Sequence, residues 1–159
     1  MDNKLLGELK YELDAFAAAA HVILARECPR WVLDNFILEV LLLHYRQLWD
    51  FFHPPAKKMK PTDLDVRDFV PGGLTTSATP DPVLIGIRKS CNVTLAHLST
   101  ERVAPGLKAG QVTHTEVKLM RDHIAEMFKL FVAAISPDER LALVNPLKAR
   151  FRDYPTFEP

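Results

Sequence analysis

The sequence predicts an all-α fold: a single-domain bundle of four main helices plus short helices, with a long loop between helices two and three. Three observations carry that expectation. Apolar residues recur at three- and four-residue steps along most of the chain. Prolines and capping residues cut that pattern where helices would end. No segment alternates apolar and polar residues as a half-buried strand would, and no internal repeat recurs. The 159 residues read as one α-helical domain over 1–159, long enough to bury roughly two thirds of the unfolded surface.

The first helix takes its stripe from Leu6, Leu9, Leu13, Phe16, Ala20, Ile23 and Leu24, with Asp2 as a cap and Cys28-Pro29 as its stop. The second spans about 29–52 on Leu33, Ile37, Val40, Leu41, His44, Leu48 and Phe51. Trp31, Phe36, Trp49 and Phe52 widen that stripe beyond one face, which predicts a helix at the centre of the bundle or in a subunit interface. From 53 to 80 the period fails, and Pro54, Pro55, Pro61, Pro71 and Pro80 mark a crossing loop. Within it, 62–69 suits one short helix, and Leu64, Val66, Phe69, Val70 and Leu74 call for burial. Asp81-Pro82 opens the third helix, striped by Leu84, Ile87, Cys91, Leu95 and Leu98 and ending near Arg102. Thr113 and Glu116 form a capping box for the fourth, flanked by Val112 and Val117 as a hydrophobic staple. Its stripe is Val117, Met120, Ile124, Met127, Phe128, Phe131 and Ile135. Ser136 to Glu139 repeats the capping pattern for a last short helix. The core should hold Leu9, Leu13, Phe16, Leu33, Ile37, Leu41, Leu48, Leu84, Ile87, Leu95, Leu98, Met120, Ile124, Met127, Phe128 and Phe131.

Twenty basic residues balance twenty acidic ones, so a generic polyanion binder with a strongly basic surface is disfavoured. A local basic site remains open, and Lys57 to Lys60 is one such cluster. Cys28 and Cys91 form no CxxC, and both read as buried or half-buried thiols in a reducing compartment. The first residues lack the basic and apolar regions of a signal peptide, and no apolar run approaches the ~20 residues needed to span a bilayer. These features predict a soluble, cytoplasmic protein with no membrane partner. The apolar width of the second helix predicts a homodimer with Trp49, Phe51 or Phe52 near its interface.

Six histidines provide the chemistry nearest neutral pH. His44 lies on an apolar stripe and reads as a buried imidazole with a hydrogen-bond partner. His97 borders the third helix's stripe. His21, His53, His114 and His123 read as surface or capping imidazoles. No HxxxH pair occurs, although His44, His97 and His123 belong to three different helices that a bundle brings together. The sequence therefore predicts no metal and no other cofactor. Asp63, Asp65 and Asp68 lack the glycine and closing glutamate of a calcium loop and read as a solvated helix start. Neither a nucleophile elbow nor a phosphate-binding glycine loop is present.

The densest polar run on a long helix is 88–102. There Arg88, Asn92 and Ser99 share one side at steps of four and seven, and His97 and Glu101 form another. The segment Asn92 to His97 resembles the R-x4-6-H motif of HEPN-like proteins, bacterial α-helical bundles, with Asn92 where that family has arginine. The number and order of helices are also similar to that superfamily. The resemblance implies RNA binding or metal-independent RNA cleavage at a dimer interface, in a defence or toxin system. His97 would then be the base for the 2′-hydroxyl, Asn92 a donor, and Arg102 or Arg88 the cation. The segments 38–52 and 97–102 also resemble bacterial helical proteins of similar size, a likeness that names no activity. The alternative expectation is a non-enzymatic, homo-oligomeric helical protein acting through protein–protein contacts.

Overall fold

The apolar steps of the first segment become helix α1, Asn3–Ala25. They do so in a computed structural model that describes residues 3–25, 36–56, 63–75, 80–95 and 112–144. Four further α-helices follow among the described residues: α2 (Leu38–Phe52), α3 (Pro82–Leu95), α4 (His114–Ala134) and α5 (Pro137–Val144). No strand occurs among these residues, so the all-α expectation holds.

The starts of α3, α4 and α5 are set by local chemistry. At α3 the Asp81 carboxylate accepts from the Val83 amide at 2.7 Å, which satisfies a donor that the helix itself cannot. At α4 the capping box forms in both directions. The Thr113 amide donates to Glu116 Oε2 at 2.7 Å, and the Glu116 amide donates to Thr113 Oγ1 at 3.2 Å. Val117 is fully buried beside the cap, and Val112 packs against the core as the staple requires. Ser136 and Glu139 repeat the reciprocal pair at α5. The carbonyls of Ala133 and Ile135, at the end of α4, accept from the Arg140 guanidinium.

Within the crossing loop, a single 3-10 turn forms at Val66–Asp68. Asp65 is its cap. It accepts from the Arg67 amide and side chain and is only 4% exposed, so this start is buried, not solvated as the sequence predicted. Val66 and Phe69 are buried, and Leu64, Val70 and Leu74 pack on the core, as their apolar character demands. Gly72 and Gly73 follow at φ of 87° and 79°, in the left-handed region that a side chain would strain.

Helix α2 packs against α1, α3 and α4 at once. It therefore takes the central position that its wide stripe predicted. The placement of its aromatics differs from expectation. Trp49, Phe51 and Phe52 are buried in the chain's own core, where Phe51 and Phe52 meet Phe131 edge-on, so they do not form an exposed interface. Val40, expected on the buried stripe, is exposed, because the buried arc of α2 is centred further round the helix, on Leu41, Tyr45 and Leu48. Of the expected core, Leu9, Leu13, Phe16, Leu41, Leu48, Leu84, Ile87, Met120, Ile124, Met127, Phe128 and Phe131 are buried. Ile37 is partly buried, Leu95 is the last residue of α3, and Leu33 and Leu98 lie outside the described residues.

Leu41 has no exposed surface. Leu41→Ala is expected to cost about 2–5 kcal/mol in denaturant unfolding, through lost transfer energy and a residual cavity. A loss of a few tenths would contradict its place in the core.

Candidate functional site

Helix α2 carries polar side chains into three of its contact zones, and each meets a partner from a different helix. Toward α1, His44 Nδ1 lies 2.6 Å from Glu12 Oε2. The ring nitrogen donates, because a carboxylate can only accept. With its amide turned to satisfy both groups, Gln47 also donates to Glu12, at 2.9 and 3.0 Å. The Tyr11 ring meets the His44 ring edge-on. His44 is buried and paired, as its place on the apolar stripe predicted.

Toward α3, Asp50 receives Arg88. Arg88 Nε and one terminal nitrogen grip both carboxylate oxygens at 2.6 to 2.9 Å, the bidentate fork that makes arginine–carboxylate pairs strong. Behind this pair lie Tyr45 and Cys91. Burial lifts the Tyr45 phenol well above its ordinary value, the Cys91 thiol adds to the rise, and Arg88 opposes it. The phenol lies 3.5 Å from the Leu84 carbonyl. Burial pushes the Cys91 thiol up to about 11, against the pull of Arg88 and Arg46. It therefore stays protonated at neutral pH and is no nucleophile, in keeping with its sequence reading.

Toward α4, His53 meets His123. Their Nε2 atoms are 2.9 Å apart, their ring centroids 5.1 Å apart and their planes 12° from parallel. The centroid spacing exceeds the nitrogen spacing by roughly two ring radii, so the rings lie head to head and nearly coplanar, joined by one N–H···N bond. The Trp49 indole covers both, with centroids at 4.5 Å from His53 and 5.4 Å from His123. Burial, and then the His123 charge, lower His53 to about 4. Burial lowers His123 as well, opposed by Glu126.

The sequence-predicted site residues fall unevenly on this framework. Arg88 is gripped by Asp50. Asn92 falls in the last turn of α3, and His97, Arg102 and Lys57 to Lys60 lie outside the described residues. The imagined convergence of His44 and His123 does not occur, since one pairs with Glu12 and the other with His53. Among the described residues no group of three or more potential ligands surrounds a metal position. His53 caps the C-terminus of α2, in keeping with the capping expectation, but neither it nor His123 is a surface imidazole: the two form a half-buried pair under Trp49. No local spacing marks residues 70 positions apart. The one cue was His53 ending an apolar helix just before Pro54.

Among the described residues no helix is long and apolar enough to cross a membrane. No family model, curated protein or solved structure matches the chain. What the fold and site define is an α-helical bundle whose central helix is clasped to three neighbours by polar pairs.

The lowered His53 value carries a pH dependence. Between its ordinary 6.5 and its folded value of about 4, the unfolded chain binds a proton that the folded chain refuses. Stability is therefore full above pH ~6.5 and is expected to fall on acidification through that window. Urea midpoints measured from pH 7 to 4.5 should decline more steeply in the wild type than in His53→Gln. Equal slopes would remove His53 from the dependence.

Proposed function

We propose that this chain is a non-enzymatic helical protein that acts through protein–protein contacts, first as a homodimer. The observation that supports this reading is an exposed apolar row on α2. Val40 and Leu43 are 39% and 40% exposed, and a step of three residues puts them on one side of the helix. This row replaces Trp49, Phe51 and Phe52 as the interface candidate. A second copy is the natural occupant, because a two-fold contact covers the same apolar row on both chains.

The polar chemistry points the same way. Arg88, the described cation of the ribonuclease reading, is neutralised by Asp50. To meet an RNA phosphate it would have to give up three short hydrogen bonds. Tyr45 and Cys91 keep their protons at neutral pH. The HEPN-like reading rests on the Asn92 to His97 resemblance and on the number and order of the helices.

Light scattering at micromolar concentration is expected to give about twice the 18.0 kDa chain mass. Val40→Asp with Leu43→Asp should return it to the single-chain mass with an unchanged helical circular-dichroism spectrum. A wild-type mass of 18.0 kDa would overturn the dimer. In a parallel assay, RNA incubated with the protein should stay intact. Cleavage that persists in EDTA and disappears in His97→Ala would establish the ribonuclease reading instead.

A further inference from the structure

The three clasps of α2 join different kinds of group, and acid acts on them differently. His44 meets the Glu12 carboxylate, and Asp50 meets the Arg88 guanidinium. Each sets an N–H donor against a carboxylate, which goes on accepting while it is ionised. His53 and His123 are two bases, and their Nε2 atoms at 2.9 Å have room for one proton between them. In the neutral pair one ring donates that proton and carries a free lone pair at Nδ1. The other ring accepts and holds its own proton at Nδ1. A first added proton goes to the free Nδ1 and leaves the N–H···N bond in place. A second has to take the accepting Nε2 lone pair. Two N–H groups then point at each other, and two like charges stand side by side. The rings cannot keep their contact in that state, and as half-buried groups they have solvent to turn into.

We propose that the His53–His123 contact is an acid-operated cover over Trp49: once both imidazoles are protonated they part and turn outward, and the indole is uncovered while α2 stays clasped to α1 and α3. The rings are placed for this. Trp49 sits one turn before His53 on α2, is only 9% exposed, and has its centroid 4.5 and 5.4 Å from those of the two rings. Its inner neighbour Tyr45 is fully buried. The charges around the pair are few. Glu126, three residues further along α4, favours charge on His123, and His123 opposes charge on His53. Asp50, three residues before His53, is taken up by Arg88 of α3, and Asp122, beside His123, by Arg121. Phe51 and Phe52 meet Phe131 through apolar contacts that carry no charge, so α4 keeps its place when the cover opens.

Trp31 is the other tryptophan, so Trp31→Phe leaves Trp49 as the reporter. In the full-length Trp31→Phe chain, acrylamide quenching and the emission maximum of Trp49 are followed on acidification, beside the far-UV circular dichroism. Between the ordinary imidazole value of 6.5 and the His53 value of about 4, quenching is expected to rise severalfold and emission to shift to the red, with the helical signal unchanged. Return to neutral pH should reverse both. His53→Gln and His123→Gln, each made in this background, keep an amide oxygen that accepts from the remaining ring whether or not that ring is charged. Both should hold Trp49 at its neutral-pH accessibility over the same range. An equal rise in His123→Gln with an intact circular-dichroism spectrum would overturn the cover. So would accessibility in the Trp31→Phe chain that stays constant until the helical signal is lost, a reading that needs no histidine substitution. The opening takes place within one chain, so the cover and the dimer stand or fall separately.

Discussion

A helix surrounded on three sides cannot leave its polar side chains unpaired, and that constraint on α2 organises the rest of the molecule. An unpaired polar group in such a contact costs about 1–3 kcal/mol, and a charged one more. Helix α2 meets this with one clasp per neighbour: His44 to Glu12 on α1, Asp50 to Arg88 on α3, and His53 to His123 on α4. The three anchor residues are spread along the helix, so each fixes the register of a different partner. Apolar contacts such as Phe51 on Phe131 supply most of the burial, but they tolerate sliding far better than a bidentate arginine does. The clasps set which arrangement forms more than how stable it is, because the desolvation of a charged pair offsets much of its attraction.

The consequences run outward to the neighbouring helices. Because Arg88 is held by Asp50, it stands beside Tyr45 and Cys91 and opposes the rise that burial imposes on both. Burial wins at each position, so the α2–α3 contact holds a protonated phenol and a protonated thiol. The same clasp uses the charge that a phosphate site would need. Asp50 is half exposed, with 46% of its side chain accessible, so this pair is screened by solvent and contributes little stability of its own. Its value is geometric.

Local chemistry was legible in the sequence, and distant pairing was not. The Thr113–Glu116 box could be read because its partners are three residues apart and the spacing itself defines the motif. The central place of α2 could be read because its aromatics exceeded one face. What those aromatics touch could not. Trp49, Phe51 and Phe52 implied a subunit interface only while one neighbouring helix was imagined, and three neighbours absorb them inside the chain. Arg88 looked available for an anion because its partner Asp50 lies 38 positions away on another helix. The burial of Asp65 was hidden for a similar reason. Its Arg67 partner was in plain view, but the core beneath the 3-10 turn was not.

The α4 clasp differs in kind from the other two, and its position decides its character. His53 is the C-cap of α2, with its amide bonded to the Trp49 carbonyl at 2.8 Å. A helix C-terminus carries partial negative charge and favours a protonated imidazole by about 0.3–1 kcal/mol, less than one unit of pKa. Yet His53 falls from 6.5 to about 4, a change several times larger and of opposite sign. Desolvation under the Trp49 indole therefore outweighs the dipole, and the neighbouring His123 adds to it. An arginine at this cap would satisfy the dipole but could not shed its charge at neutral pH to enter a contact with a second base. Histidine can be neutral, donate one proton and accept another, so two of them close this contact without bringing a net charge into it.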